Sequence, residues 1–79
     1  MNLKKEGAQM VLLSIIKITR VAANKQMNFT DVCKLAQVSY RTVKHIKDGL
    51  AVRTKTAGRL AAALGVDVAD IMAEWRLNE

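Results

Sequence analysis

The chain has 79 residues, 13 Lys/Arg against seven Asp/Glu, a formal charge of +6, no proline and three aromatic residues. A chain this short buries only about 60–65% of its unfolded surface, so the expectation is one small domain over residues 1–79, of modest stability unless a partner adds to its core. One His and one Cys exclude a zinc site of the usual four ligands, and the lone Cys33 excludes an internal disulfide and suits a reducing cytoplasm.

Apolar spacing near 3.6 residues along the whole chain predicts an all-α fold of five helices. The first helix runs from about Glu6 to Ala23, with Val11, Ile15, Ile18 and Ala22 on one side and Leu12 and Ile16 widening that arc. Met10 and Leu13 fall well outside the arc, giving more apolar surface than a core needs. Lys4-Lys5 ahead of an apolar run is faintly signal-like. Gln9, Ser14, Lys17 and Arg20 interrupt that run, however, and a membrane span needs about 20 apolar residues, so no membrane partner is expected.

The second helix, Phe29 to Ala36, opens at Asn28, whose side chain suits an N-cap, with Asp31 placed to favour the positive helix end. Gln37-Val38-Ser39 breaks the pattern, and Ser39 caps a third helix from Tyr40 to Lys47. Val43 and Ile46 point one way on it, while Arg41, Lys44, His45 and Asp48 fall on the other side. Gly49 then supplies the left-handed residue that ends a helix. A fourth helix spans about Thr54 to Leu64 and stops at Gly65; a fifth starts after Asp67, with Asp70 three residues on, and continues to about Trp75. The expected core is Val11, Ile15, Ile18, Ala22, Val32, Val38, Val43, Ile46, Leu60, Leu64 and Ile71.

Two short capped helices, the second with a cationic outer face, point to reading of a DNA duplex. The run Val38-Ser39…Thr42-Val43…Ile46…Asp48-Gly49 resembles the "V-S-x-x-T-I-x-x-I-x-N-G" pattern of the phage-repressor (Cro-like, XRE) helix-turn-helix family. Thr56-Ala57…Leu60-Ala61…Ala63-Leu64-Gly65-Val66-Asp67 resembles that family's fourth helix and its "A-L-G-V" turn. The likeness covers roughly residues 27–75, with the helix-turn-helix at about 28–49, and implies a compact lambda-repressor-like domain. Three positions depart from the pattern. Gln37 replaces the turn Gly and must take φ > 0, at roughly 1 kcal/mol, or reshape the turn. Cys33 replaces a small residue, usually Ala, where two helices touch and is expected to pack. Lys47 stands where the family often has Glu, so an ion pair to the first helix is not expected.

Charge is concentrated in the middle. Ten Lys/Arg lie between Lys17 and Arg59 against Asp31 and Asp48, while Asp67, Asp70, Glu74 and Glu79 outnumber Arg76 beyond them. A basic surface alone also serves solubility; joined to the helix pair it reads as a footprint for a polyanion.

The resemblance implies that the third helix enters the major groove with Tyr40, Arg41, Lys44 and His45 near base edges, a solvated helix face being the competing reading. Asn28 matches the family's phosphate-contacting position at a helix N-terminus, and Arg53 and Lys55 are placed for the DNA backbone. The expected function is sequence-specific double-stranded DNA binding by a small repressor-like transcriptional regulator, as a homodimer. Met10, Leu13, Met72, Trp75 and Leu77 form the candidate dimer or partner surface. Two alternatives share the fold: an antitoxin-like protein-interaction module, and a DNA-binding accessory protein of a mobile element. No enzyme, metal site or cofactor is expected, because no activated nucleophile accompanies His45 and no glycine loop cradles a phosphate. No room is seen for a separate ligand-sensing domain, so regulation is expected through concentration, proteolysis or a partner.

Overall fold

A computed structural model describes the backbone of residues 9–77 and the side chains of residues 10–73. In chain order it comprises strand β1 (Gln9–Leu13), helices α1 (Ile15–Ala23), α2 (Phe29–Ala36) and α3 (Tyr40–Lys47), strand β2 (Val52–Arg53), helix α4 (Thr54–Leu64), a single 3₁₀ turn (Val68–Asp70) and strand β3 (Met72–Leu77). The fold is therefore mostly helical, four helices with a small three-stranded sheet, rather than the five-helix all-α domain that helical spacing suggests.

The corrections fall at the two ends. The expected first helix begins only at Ile15; residues 6–8 lie outside the described residues, and Gln9–Leu13 is a strand. Met10-Val-Leu-Leu is a short continuous aliphatic run, which fits a strand as well as a helix. Ser14 decides where the helix starts: its Oγ accepts from the Lys17 N–H at 3.1 Å, and its own N–H donates to the Ile71 carbonyl at 2.9 Å. The change of period moves Leu13 inward. It is only 6% exposed, beside Val11 on the core face, where a helical wheel puts it outside.

The expected fifth helix is replaced in the same way. Asp67 and Asp70 do form a capping box, with the Asp67 N–H donating to Asp70 Oδ2 at 3.1 Å. It starts only one 3₁₀ turn, because Met72 onwards pairs with β1 instead of winding on. β1 is the central strand of the order β2-β1-β3 and is antiparallel to both neighbours. The register runs from Gln9↔Leu77 through Val11↔Trp75 to Leu13↔Met72, with one irregularity between Leu12 and Leu13. On the other side Met10 opposes Arg53 and Val11 opposes Val52.

The core lies between this sheet and the helices. Val11, Ile18, Ala22, Val32, Ile46, Leu60, Leu64 and Ile71 are buried as expected, while Ile15, Val38 and Val43 pack against them half-buried. Leu13, Phe29, Cys33, Ala36, Val52, Ala57 and Ala61 complete it. Cys33 packs in the core as its size allows. Burial pushes its thiol above the ordinary value, and the Lys47 charge pulls it partly back.

Candidate nucleic-acid interface

The helix-turn-helix is assembled from local bonds. At the start of α2 the Asn28 Oδ1 accepts from the Asp31 N–H at 2.8 Å, and Asp31 Oδ2 accepts from the Asn28 N–H at 3.0 Å, a closed capping box. α2 ends at Gln37, which takes the left-handed conformation (φ 58°, ψ 43°) that its place in the turn requires. The Val38 N–H reaches back to the Cys33 carbonyl at 3.2 Å, so the turn closes without glycine. Ser39 Oγ then caps α3 by accepting from the Thr42 N–H at 3.2 Å, and it lies 3.1 Å from Thr42 Oγ1. Gly49, at φ 76°, lets the Leu50 N–H bond the His45 carbonyl at 2.9 Å and stops the helix.

These caps hold α3 with one side down. Ile46 is 2% exposed and Val43 is half-buried, whereas Tyr40 is 80% exposed and Arg41, Lys44, His45 and Lys47 are exposed with it. With Ile46 as the inward pole and about 100° per residue, Lys44 and Arg41 flank the outward pole. Tyr40 and Lys47 lie towards one edge of that face, His45 towards the other. His45 Nδ1 is 3.0 Å from the Arg41 carbonyl oxygen. A carbonyl only accepts, so Nδ1 carries the proton, and Nε2 is the nitrogen left for an outside group.

On the His45 side, Arg41, Thr42 and His45 of α3 line a cleft of about 330 Å³ with Arg53, Thr56, Ala51, Val52 and Met10. Arg53 is the N-cap residue of α4, and its side chain makes no capping bond there. Lys55 is exposed in the first turn of the same helix. The cleft thus brings Arg41, His45 and Arg53 together beside a helix N-terminus, where positive charge and orphan N–H groups favour an anion.

Asn28 is placed differently. Its side-chain Oδ1 and its backbone N–H are both taken by the capping box, and the Asp31 carboxylate stands at the same helix end. Only its Nδ2 and the next N–H groups of α2 remain for a phosphate. Of the candidate partner surface, Met10 and Met72 are half-buried and Leu13 is buried, while the side chains of Trp75 and Leu77 lie outside the described residues.

Arg59, Thr42 and Lys47 join the site beyond the residues expected to contact DNA. Arg59 Nη1 donates to the Gln37 carbonyl at 3.4 Å and ties α4 to the turn between the two helices. No local spacing links residues 22 positions apart, so this bond has no signature in the sequence. Thr42 is signalled by its place three residues after Ser39, and Lys47 by its place three residues after Lys44 on the same exposed face.

The geometry is that of a helix-turn-helix whose second helix, α3, is exposed and basic on its outer face. Residues 17–73 match the family model of the Cro/C1-type helix-turn-helix DNA-binding domain, and the chain belongs to that family. The match starts inside α1 and ends at the second residue of β3, so β1 and most of β3 lie outside it. No curated protein and no solved structure matches the chain. Among the described residues no helix is long and apolar enough to cross a membrane.

Proposed function

We propose that this DNA-binding chain is a sequence-specific, repressor-like transcriptional regulator of the cytoplasm that acts on its operator as a homodimer. The observation that carries the reading is the outward face of α3: Tyr40, Arg41, Lys44 and His45 are exposed on a helix capped at both ends and anchored by Ile46. Such a helix enters the major groove of a duplex, where base edges present donors and acceptors in distinct patterns.

Roles follow from position on the helix. Arg41, near the outward pole, has the planar fork that matches guanine O6 and N7. Lys44 donates to guanine or to a phosphate. Tyr40 reaches a thymine methyl or, through its hydroxyl, the backbone. With Nδ1–H committed to the Arg41 carbonyl, Nε2 of His45 is the ring nitrogen that faces an outside group, within reach of a base edge. Arg53 and Lys55, at the start of α4, hold phosphates and set register without carrying sequence information, with Asn28 adding its free amide nitrogen.

Selection from a random duplex library by the purified chain at moderate salt tests the reading. A two-fold motif with half-sites about 10 bp apart supports a dimeric operator reader. Salt-sensitive bulk binding without any enriched motif contradicts sequence-specific regulation and favours a protein that contacts only the DNA backbone.

A further inference from the structure

We propose that Arg59 is a positioning residue for α3: from α4 it holds the turn that aims the exposed N-terminal end of α3, and with it Tyr40 and Arg41. The inference deepens the sequence-specific reading above and rests on it.

The starting observation is that α3 is anchored at one end. Its only buried residue, Ile46, lies in its last turn, and Val43 is half-buried one turn earlier. Tyr40 and Arg41, at the other end, are exposed. Five residues separate Arg41 from Ile46, about 7.5 Å along the helix axis, so a tilt of roughly 10° about Ile46 displaces Arg41 by about 1.3 Å. Hydrogen bonds to base edges tolerate only a few tenths of an ångström, so such a tilt breaks them. What fixes the N-terminal end of α3 therefore decides how sharply it reads.

That end is joined to the turn, and the turn's own bonds are all local. The Gln37 N–H bonds the Lys34 carbonyl at 3.1 Å and the Val38 N–H the Cys33 carbonyl at 3.2 Å, both back onto α2, while Ser39 caps α3. None of these ties the turn to the rest of the domain. Gln37 itself is exposed and holds its left-handed conformation without being a glycine, which adds strain to a lightly packed segment. The bond from Arg59 Nη1 to the Gln37 carbonyl, at 3.4 Å, is among the described residues the one hydrogen bond between residues 28–49 and α4. No other donor reaches that carbonyl among the described residues.

The chemistry suits the place. Gln37 is the C-cap of α2, where the carbonyls carry the negative end of the helix dipole, and a guanidinium there makes a charge-assisted bond. Arg59 lines the shallow cleft between α2 and α4 with Leu35, Ala36, Gln37, Ala62 and Ala63, so its side chain crosses from one helix to the other. A cation on a DNA-binding domain has a simpler use, a direct phosphate contact, and the test separates the two.

Arg59→Met keeps the aliphatic stem and removes the donor; Arg59→Lys keeps a cationic donor of similar reach. Each full-length chain is titrated at several salt concentrations with the duplex selected by the wild type and with a scrambled duplex, and amide exchange is followed in parallel. Arg59→Met is expected to lose about three- to tenfold in affinity for the selected duplex, the worth of one hydrogen bond, while scrambled binding stays within about twofold and the salt slope is unchanged. Arg59→Lys is expected to restore selected binding to within about twofold of the wild type. The Val38 and Val43 amides, bonded in the turn and the first turn of α3, should exchange about threefold or more faster in Arg59→Met, with the Ile18 amide of α1 unaffected. Equal loss on both duplexes, with the salt slope lower by about one, makes Arg59 a phosphate contact and overturns the proposal. Faster exchange at Ile18 as at Val38 marks a merely structural role and overturns it too, as does turn exchange equal to that of the wild type. A wild type that selects no motif, with turn exchange still accelerated in Arg59→Met, would support the positioning of α3 while sinking the sequence-specific reading.

Discussion

Between Asn28 and Leu50, every capping bond joins residues three to five positions apart: Asn28 with Asp31, Val38 with Cys33, Ser39 with Thr42, Leu50 with His45. The sheet is the reverse. It sets Met10 against Arg76 and Leu12 against Glu74, and the Ser14 N–H reaches the Ile71 carbonyl across the length of the domain. The helix-turn-helix is thus specified locally and carried on a frame that exists only when the two ends of the described chain meet. That division lets the reading face change without disturbing the frame, and it places the frame's weak point at the terminal strands.

The largest expected effect comes from the frame. Ile71 is fully buried where the chain turns into β3, and Ile71→Ala should cost about 2–5 kcal/mol. Urea unfolding followed by far-UV dichroism checks it. If helix signal and chain are lost in one transition, the two regions form a single cooperative unit; a helix-turn-helix that survives the loss would sharpen the division into two.

Next is the reading face, where stability and binding should separate. Arg41→Ala should cost about 1–3 kcal/mol on a specific site and relax base preference there, with the unfolding midpoint unchanged. Lys55→Ala should instead weaken binding to all duplexes alike and lower the salt slope by about one. Titrations at several salt concentrations distinguish the two.

Caps should rank by what they start. Ser39→Ala removes the cap of α3 and should lose about 1 kcal/mol of stability, because a whole helix depends on it. Asp67→Ala, at a box that starts a single 3₁₀ turn, should cost less in the same denaturant assay. The smallest effect is a gain. Gln37 holds φ 58°, so Gln37→Gly should raise stability by about 0.5 kcal/mol, the relief of left-handed strain being partly offset by a freer unfolded chain.

The same division explains what was legible in the sequence. Asn28, Ser39, Gly49 and Gly65 act over one turn of chain, and each ends or begins the helix its chemistry indicates. Gln37 is informative in the other direction: the family pattern demands φ > 0 there, and the residue complies despite its side chain. Met10–Leu13 and Met72–Leu77 fail as helices because their fate depends on each other. β1 gains its hydrogen bonds only from strands about 40 to 70 residues away, and no local spacing records that. Asp67 and Asp70 even supply a proper helix start, which pairing with β1 then overrides. Leu13 is the consequence at the level of one side chain, outward on a helical wheel and inward on a pleat. α3 escaped such error because its anchor, cap and stop all lie within twelve residues.

If α3 reads bases, Arg41 is its sharpest contact. Parallel library selections with the wild-type chain and with Arg41→Ala test it most directly. A wild-type motif containing a guanine that becomes degenerate in the variant, with the rest of the motif retained, is the predicted result. An identical motif recovered at equal affinity from both chains would contradict the account.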